Sequence, residues 1–215
     1  MLNKYLEAFC KAILAGLMIA VGASAYLVVE NHYVGAMLFT IGLFTIYTLD
    51  FYLYTGKVGY LLRDKDVLKI VVIWLGNLVG VLGSAALVLN TRMITTTEII
   101  EHATSYAETK ISDGLLSIFI LACFCGLMMY IAAQAYNTTK DTANSVGGYV
   151  GLFLCVMVFL LLGFDHSIAN MYYFTMAGAW SGEAVIALIV ATLGNALGGL
   201  FPSLIMLPFK NSTHH

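Results

Sequence analysis

Charge is scarce in this chain. Asp, Glu, Lys and Arg make up 10% of its 215 residues, against about a quarter in an average soluble domain. So little polarity leaves no room for a sizeable soluble domain. A mean hydropathy of +0.89 over the whole length describes an integral membrane protein rather than a soluble one with a single anchor. Proline is scarcer still: the only two, Pro202 and Pro208, lie near the C-terminal end. The four cysteines, Cys10, Cys123, Cys125 and Cys155, fall within or at the edge of apolar runs and read as small buried hydrophobes. Cys123 and Cys125 point in different directions on a helix, so neither a metal site nor a disulfide is expected. His32, His102, His214 and His215 lack zinc-site spacing and are placed in loops or the tail. No cofactor motif is visible and no nucleic-acid partner is expected; the net charge of −2 carries little information. A signal-peptide pattern is also missing, because the first apolar run has full membrane length and no small-residue cleavage site follows it.

What is present is a series of apolar segments, each close to the roughly 20 residues that cross a bilayer. Six are expected, over about residues 7–29, 34–62, 67–89, 113–136, 145–174 and 183–207. The polar stretch 90–112 between the third and fourth contains TTTEIIEHATSYAETK, which reads as a short surface helix capped by Thr or Ser. Six passes put Lys4, Lys11, Arg63, Lys65, Lys69, Lys140 and Lys210 on one side and Arg92 and Lys110 on the other. The first side is therefore cytoplasmic, with both termini inside. The whole chain, 1–215, reads as one multi-pass domain of an inner or plasma membrane.

Two of the six segments are interrupted. Polar residues Asp50, Thr55, Gly56 and Lys57 break the second, and Gly163–His166 breaks the fifth. The third and sixth share a pattern: Gly76-Asn77-Leu78-Val79-Gly80 and Gly194-Asn195-Ala196-Leu197-Gly198-Gly199. Each half, about 7–90 and 113–207, thus holds one whole helix, one broken helix and one G-N-x-x-G helix. An odd number of passes per half forces opposite topology, the inverted-repeat plan of transporters. A break at membrane depth frees backbone N–H and C=O groups, which must be buried in protein or line a wet cavity. An ionisable group there is costly and marks function by default, and His166 stands at the second break.

These residues resemble the formate/nitrite transporter family. Gly163-Phe164-Asp165-His166-Ser167-Ile168-Ala169-Asn170-Met171 is similar to its histidine signature, and Leu53-Tyr54-Thr55-Gly56 to its Ω loop. The two G-N-x-x-G helices match its third and sixth helices. The resemblance covers nearly the whole chain. It implies an all-α, aquaporin-like six-helix protomer with broken helices 2 and 5, a homopentamer, and one pore per protomer for small monovalent weak-acid anions. Tyr54 and Lys57 depart from the usual Ω-loop residues, and Lys57 sets a cation beside that loop.

His166 is then expected to hydrogen-bond the anion, or to donate a proton to it, at the driest point of the path. Desolvating a bare anion is very costly. Thr55 is the opposing hydroxyl implied by the resemblance. Asn170, one turn after His166, either lines the pore or satisfies freed backbone groups. Asp165 is expected to cap the half-helix that follows it. Leu53, Phe39 and Phe159 correspond to apolar constrictions; the alternative for each is ordinary packing. Lys11 and Lys110 are placed at the two mouths, where cations concentrate anions; the alternative is snorkelling to the headgroups. Formate is the first expectation, with nitrite and hydrosulfide as alternatives in the same fold. An aquaporin-type neutral-solute channel needs N-P-A-like half-helix motifs, and neither break contains proline. A membrane enzyme needs a second catalytic group near His166, and none is apparent.

Overall fold

Among the described residues, four stretches fold into helices long and apolar enough to cross a bilayer: α1 (Leu2–Val28), α5 (Val67–Val88), α8 (Leu115–Thr139) and α11 (Gly182–Met206). Two shorter apolar helices accompany them, α2 (His32–Thr48) and α9 (Ser145–Leu161). The computed structural model describes residues 2–207, so Pro208, Lys210, His214 and His215 lie outside the described residues. After α2 the chain makes an extended step and continues as a staircase of short turns, α3 (Tyr54–Lys57), a 3₁₀ turn at Val58–Tyr60 and α4 (Leu61–Asp64). After α9 an extended step leads into α10 (Ser167–Met176). The polar stretch supplies α6 (Met93–Thr96) and α7 (Ile99–Ser112).

Small residues decide how the long helices pair. On α1, Ala8, Ala12, Ala15, Gly16, Ile19 and Ala23 are buried, a stripe at helical spacing that lets α5 lie against it. From the other side, Gly76 leaves no room for a Cβ, which would stand 2.6 Å from the Ala12 methyl. The α8–α11 pair repeats this: a Cβ on Gly194 would stand 2.6 Å from the Ala122 methyl.

The breaks are built alike. Helix α2 is C-capped by Leu49, with Asp50 in the left-handed region at φ 51° and the Phe51 N–H bonded to the Ile46 carbonyl at 2.8 Å. Helix α9 is C-capped by Leu162, with Gly163 at φ 68° and the Phe164 N–H bonded to the Phe159 carbonyl at 2.9 Å. Both are Schellman-type stops. The corresponding residues are therefore Asp50 with Gly163 and Leu53 with His166, each 113 residues apart, rather than Asp50 with His166. Tyr54–Lys57, read from sequence as part of the polar interruption, is already helical.

Helix α7 differs from the expected surface helix. Ile99, Ala103 and Ala107 are buried, and it packs on α10 and α1. Its N-cap position is Glu98, with no side-chain cap. The threonines expected to cap it turn back instead: the Thr95, Thr96 and Thr97 hydroxyls donate to the carbonyls of Arg92, Arg92 and Met93. His32 opens α2 and His102 sits within α7, its Nδ1 2.6 Å from the Leu27 carbonyl; neither is a loop residue. Cys10 is exposed rather than buried.

Candidate functional site

The two asparagines of the repeated G-N-x-x-G pattern hold the breaks in place. Asn77 Nδ2 donates to the carbonyls of Ala12 (2.8 Å) and Tyr52 (2.9 Å), while its Oδ1 accepts from the Tyr54 N–H (2.8 Å). Asn195 Nδ2 donates to the carbonyls of Ala122 (2.9 Å) and Asp165 (2.7 Å), while its Oδ1 accepts from the Ser167 N–H (2.9 Å). Each amide thus satisfies the backbone on both sides of one extended residue, which an apolar interior requires. That residue is Leu53 in the first half and His166 in the second.

His166 is buried, has an extended backbone (φ −95°, ψ 105°), and is itself the N-cap of α10, its Nδ1 accepting from the Ala169 N–H at 3.1 Å. Asp165 does not cap that helix. Its Oδ1 accepts from Lys110 Nζ at 2.7 Å and from Asn170 Nδ2 at 2.9 Å. With the cap position taken by the imidazole, the carboxylate turns to the ammonium supplied by α7. Asn170 therefore holds Asp165 and also shares a cleft with His166 and Lys110. Its Oδ1 and the Ser167 hydroxyl oxygen are buried without a partner.

The capping bond fixes the imidazole tautomer. A nitrogen that accepts the Ala169 N–H carries no proton, so the neutral ring carries its hydrogen on Nε2. Nε2 lies 3.0 Å from Thr55 Oγ1, across 111 residues of chain, and donates to it. The Thr55 hydroxyl proton is left free for another acceptor. Beside this contact Phe159 stacks on the His166 ring (centroids 5.5 Å, 23°) and meets Phe39 edge-on (5.9 Å, 89°). Leu53, two residues before Thr55, is buried. The structure thus gathers His166, Thr55, Phe39, Phe159 and Leu53 at the two breaks, with Asn170 and Lys110 on one side. Lys11 lies elsewhere, bonded to Asp50 (2.7 Å) and Glu7 (3.1 Å).

Lys110 and Asp165 are a buried pair, their side chains 11% and 2% exposed. Removing one partner strands a charge, which costs about 3–5 kcal/mol, whereas removing both is far milder. Lys110→Met and Asp165→Asn are each expected to lower the thermal midpoint of the purified protein steeply, and the double variant to regain most of it. A double variant no better than the worse single would show that the pair is not coupled.

Two cleft residues were not singled out from the sequence. Tyr26 and Tyr106 line the cleft beside His166, with Tyr106 donating to the Tyr26 oxygen at 2.9 Å. Both Tyr26 and Tyr106 also line an outer recess with His32 and Tyr33. The asparagine pattern was visible as a repeat, but nothing in the sequence showed that it clamps the backbone.

Helices long and apolar enough to cross a membrane and a buried histidine–threonine contact between separate segments fit a multi-pass membrane protein of the transport class. A family model described as formate/nitrite transporter matches residues 2–208, and the chain belongs to that family. It is similar to the uncharacterized transporter YrhG of Bacillus subtilis (26% identity, 77% of this chain and 66% of the relative). It is also similar to the nitrite transporter NirC of Salmonella typhimurium (27%, 59% and 48%) and to a probable formate transporter of Methanothermobacter thermautotrophicus (27%, 75% and 68%). Its matches to the first of these curated relatives span about half to two-thirds of their length. Among solved structures, a pentameric formate channel with formate bound superposes with a TM-score of 0.81 at 23% identity, over 96% of this chain and 98% of that one. An FNT family ion channel superposes at 0.73 and 20%, over 99% and 90%.

Proposed function

We propose that this protein conducts small monovalent weak-acid anions across a membrane, formate first, through a path that passes the Thr55–His166 contact. The observation that carries the reading is that contact: two polar groups 3.0 Å apart, one from each break, with Phe159 stacked on the His166 ring and Phe39 edge-on to Phe159. The 1–215 chain acts as one membrane domain. Its helices make six passes in an inverted 3+3 repeat, with the α2–α3 and α9–α10 segments as the broken second and fifth passes, and both ends cytoplasmic. Five copies assemble, each with its own path.

The imidazole works as a hydrogen-bond donor rather than as a proton donor. Its Nδ1 lone pair is spent on the Ala169 N–H, so an imidazolium would have to break the cap of α10. A neutral ring that gave up its Nε2 hydrogen would become an imidazolate, a far costlier species than the acid it formed. An anion entering the gap instead accepts from Nε2–H and the Thr55 hydroxyl. Desolvation disfavours the charged form of any acid, so a weak-acid anion leaving a wet mouth gains affinity for a proton from water. A strong-acid anion such as chloride cannot escape the desolvation cost in this way.

Uptake of radiolabelled formate into proteoliposomes tests this. We expect uptake above empty liposomes, driven by an inward proton gradient, competed by nitrite, hydrosulfide or acetate and not by chloride. Competition by chloride equal to that by formate overturns the weak-acid mechanism. Nitrite or hydrosulfide flux in the absence of formate flux moves the substrate within the same class.

A further inference from the structure

The cleft beside His166 and the outer recess are two spaces with a common wall. The cleft has a free volume of about 20 Å³, enough for about one water. The recess has about 390 Å³. Tyr26, Tyr106, Leu160 and Gly163 line both, so whatever moves from the recess to His166 passes among these four. Leu160 offers apolar surface and Gly163 only backbone. The polar side-chain groups of the wall are the two tyrosine hydroxyls.

Both rings are held. Tyr26, buried near the end of α1, meets Phe39 edge-on (6.4 Å, 84°), and a Cβ on Gly35 would stand 3.0 Å from its ring. Tyr106, on α7, stacks on Tyr173 (5.4 Å, 26°). Neither ring swings aside without displacing an aromatic neighbour, which close packing resists. The hydroxyls are 2.9 Å apart, with Tyr106 donating to Tyr26. That leaves the Tyr26 hydrogen for another acceptor, and a hydroxyl that accepts one hydrogen bond donates the next more strongly. The open part of the wall is at Gly163, where an added Cβ meets nothing within 4 Å. Its left-handed turn does not by itself demand glycine, because Asp50 makes the equivalent turn in the first half at φ 51°. What glycine leaves here is space.

We propose that Tyr26, Tyr106 and the bare backbone of Gly163 form a filter that passes formate, nitrite and hydrosulfide and holds back carboxylates that carry an alkyl group. The proposal rests on the anion-conducting reading above and names the anions it admits. An anion at the wall accepts the Tyr26 hydroxyl in place of one of its waters and moves through the gap at Gly163. The methyl of acetate has to share that gap. A neutral donor holds the anion weakly enough to let it go on to His166, as conduction requires.

The test reads a ratio. Uptake of formate and acetate, labelled with different isotopes, is measured together in the same proteoliposomes. Poor folding or low insertion then scales both and leaves their ratio unchanged. In wild type, formate uptake is expected to exceed acetate uptake. Tyr106→Ala widens the wall and is expected to lower the formate-to-acetate ratio about tenfold, the scale on which a pocket discriminates a methyl group. Gly163→Asn keeps a residue that tolerates the left-handed backbone, fills the gap, and is expected to raise the ratio about tenfold. Tyr26→Phe removes the free hydroxyl hydrogen but keeps the ring, and is expected to slow formate and acetate alike about tenfold. Tyr33→Phe removes an exposed hydroxyl that lines the recess and not the cleft, and is expected to change neither rate nor ratio. An unchanged ratio in either Tyr106→Ala or Gly163→Asn overturns the filter. So does a wild type that passes acetate as fast as formate, full formate flux in Tyr26→Phe, or an equal loss in Tyr33→Phe. Those results leave the conducting reading standing. No uptake of formate, nitrite or hydrosulfide by folded wild type overturns that reading and the filter with it.

Discussion

Replacing His166 with Phe is expected to lower formate flux about a hundredfold while the protein still folds and assembles. A hydrogen bond to a charged group contributes about 1.5–3 kcal/mol. Its loss at the driest point of the path raises the barrier by that amount, or about 10- to 150-fold in rate. Phe fills the same stack against Phe159, so the apolar wall survives. The ring also gives up its cap of α10, a loss of about 1 kcal/mol. His166→Asn separates the two effects. Its Oδ1 keeps the cap, its NH₂ presents a donor toward Thr55, and it has no proton to give. We expect the Asn variant to retain at least about ten times the flux of the Phe variant, as a recovered donor of about 1.4 kcal/mol requires. If the Asn variant is as inactive as the Phe variant and equally well folded, a titrating histidine is required and the hydrogen-bonding role fails. Normal pH-dependent flux in a folded His166→Phe protein removes His166 from the path altogether.

The parts of this site legible in the sequence were those that membrane depth makes expensive. His166, Thr55 and the two G-N-x-x-G runs stood out because polar groups in apolar surroundings need a reason, and the structure gathers them at the breaks. Aromatic and aliphatic neighbours such as Phe39 and Phe159 carry no such flag among 12 phenylalanines; their meeting at 5.9 Å was reachable only through the family resemblance. The direction in which Asp165 points was not legible at all. Its partner Lys110 is 55 residues away, and the cap it was expected to form is made by its neighbour. A carboxylate is the usual cap by propensity, but an imidazole nitrogen that accepts does the same work. Lys57 stood out as a cation beside the Ω loop, but nothing local shows that it and Lys69 meet Lys11 at the ring of Tyr52.

The repeated asparagine gives the largest stability effect. Asn195→Ala leaves the carbonyls of Ala122 and Asp165 and the N–H of Ser167 without partners in a buried setting. Each buried group left unmet costs about 1–3 kcal/mol, so the loss is several kcal/mol even after relaxation and non-additivity. Asn77→Ala strands the carbonyls of Ala12 and Tyr52 and the N–H of Tyr54 and should cost a similar amount. Both variants are expected to show a steep fall in thermal midpoint or to fail to assemble, as followed by size-exclusion chromatography after heating. Leu at the same positions restores volume but no hydrogen bond, and should rescue neither. Asp keeps the acceptor for Tyr54 or Ser167 and loses both donors, so it should remain close to Ala. The outcome that would count against the clamp is a Leu variant as stable as wild type. In that case the asparagines would act only as packing residues and the extended steps at Leu53 and His166 would be held by something else. If the clamp is real, the same amide that stabilises the second half also sets where His166 stands. Any surviving Asn195 variant should then lose flux in proportion to the loosened Thr55–His166 contact, whereas an equally destabilising change on the outer face of α8 should not.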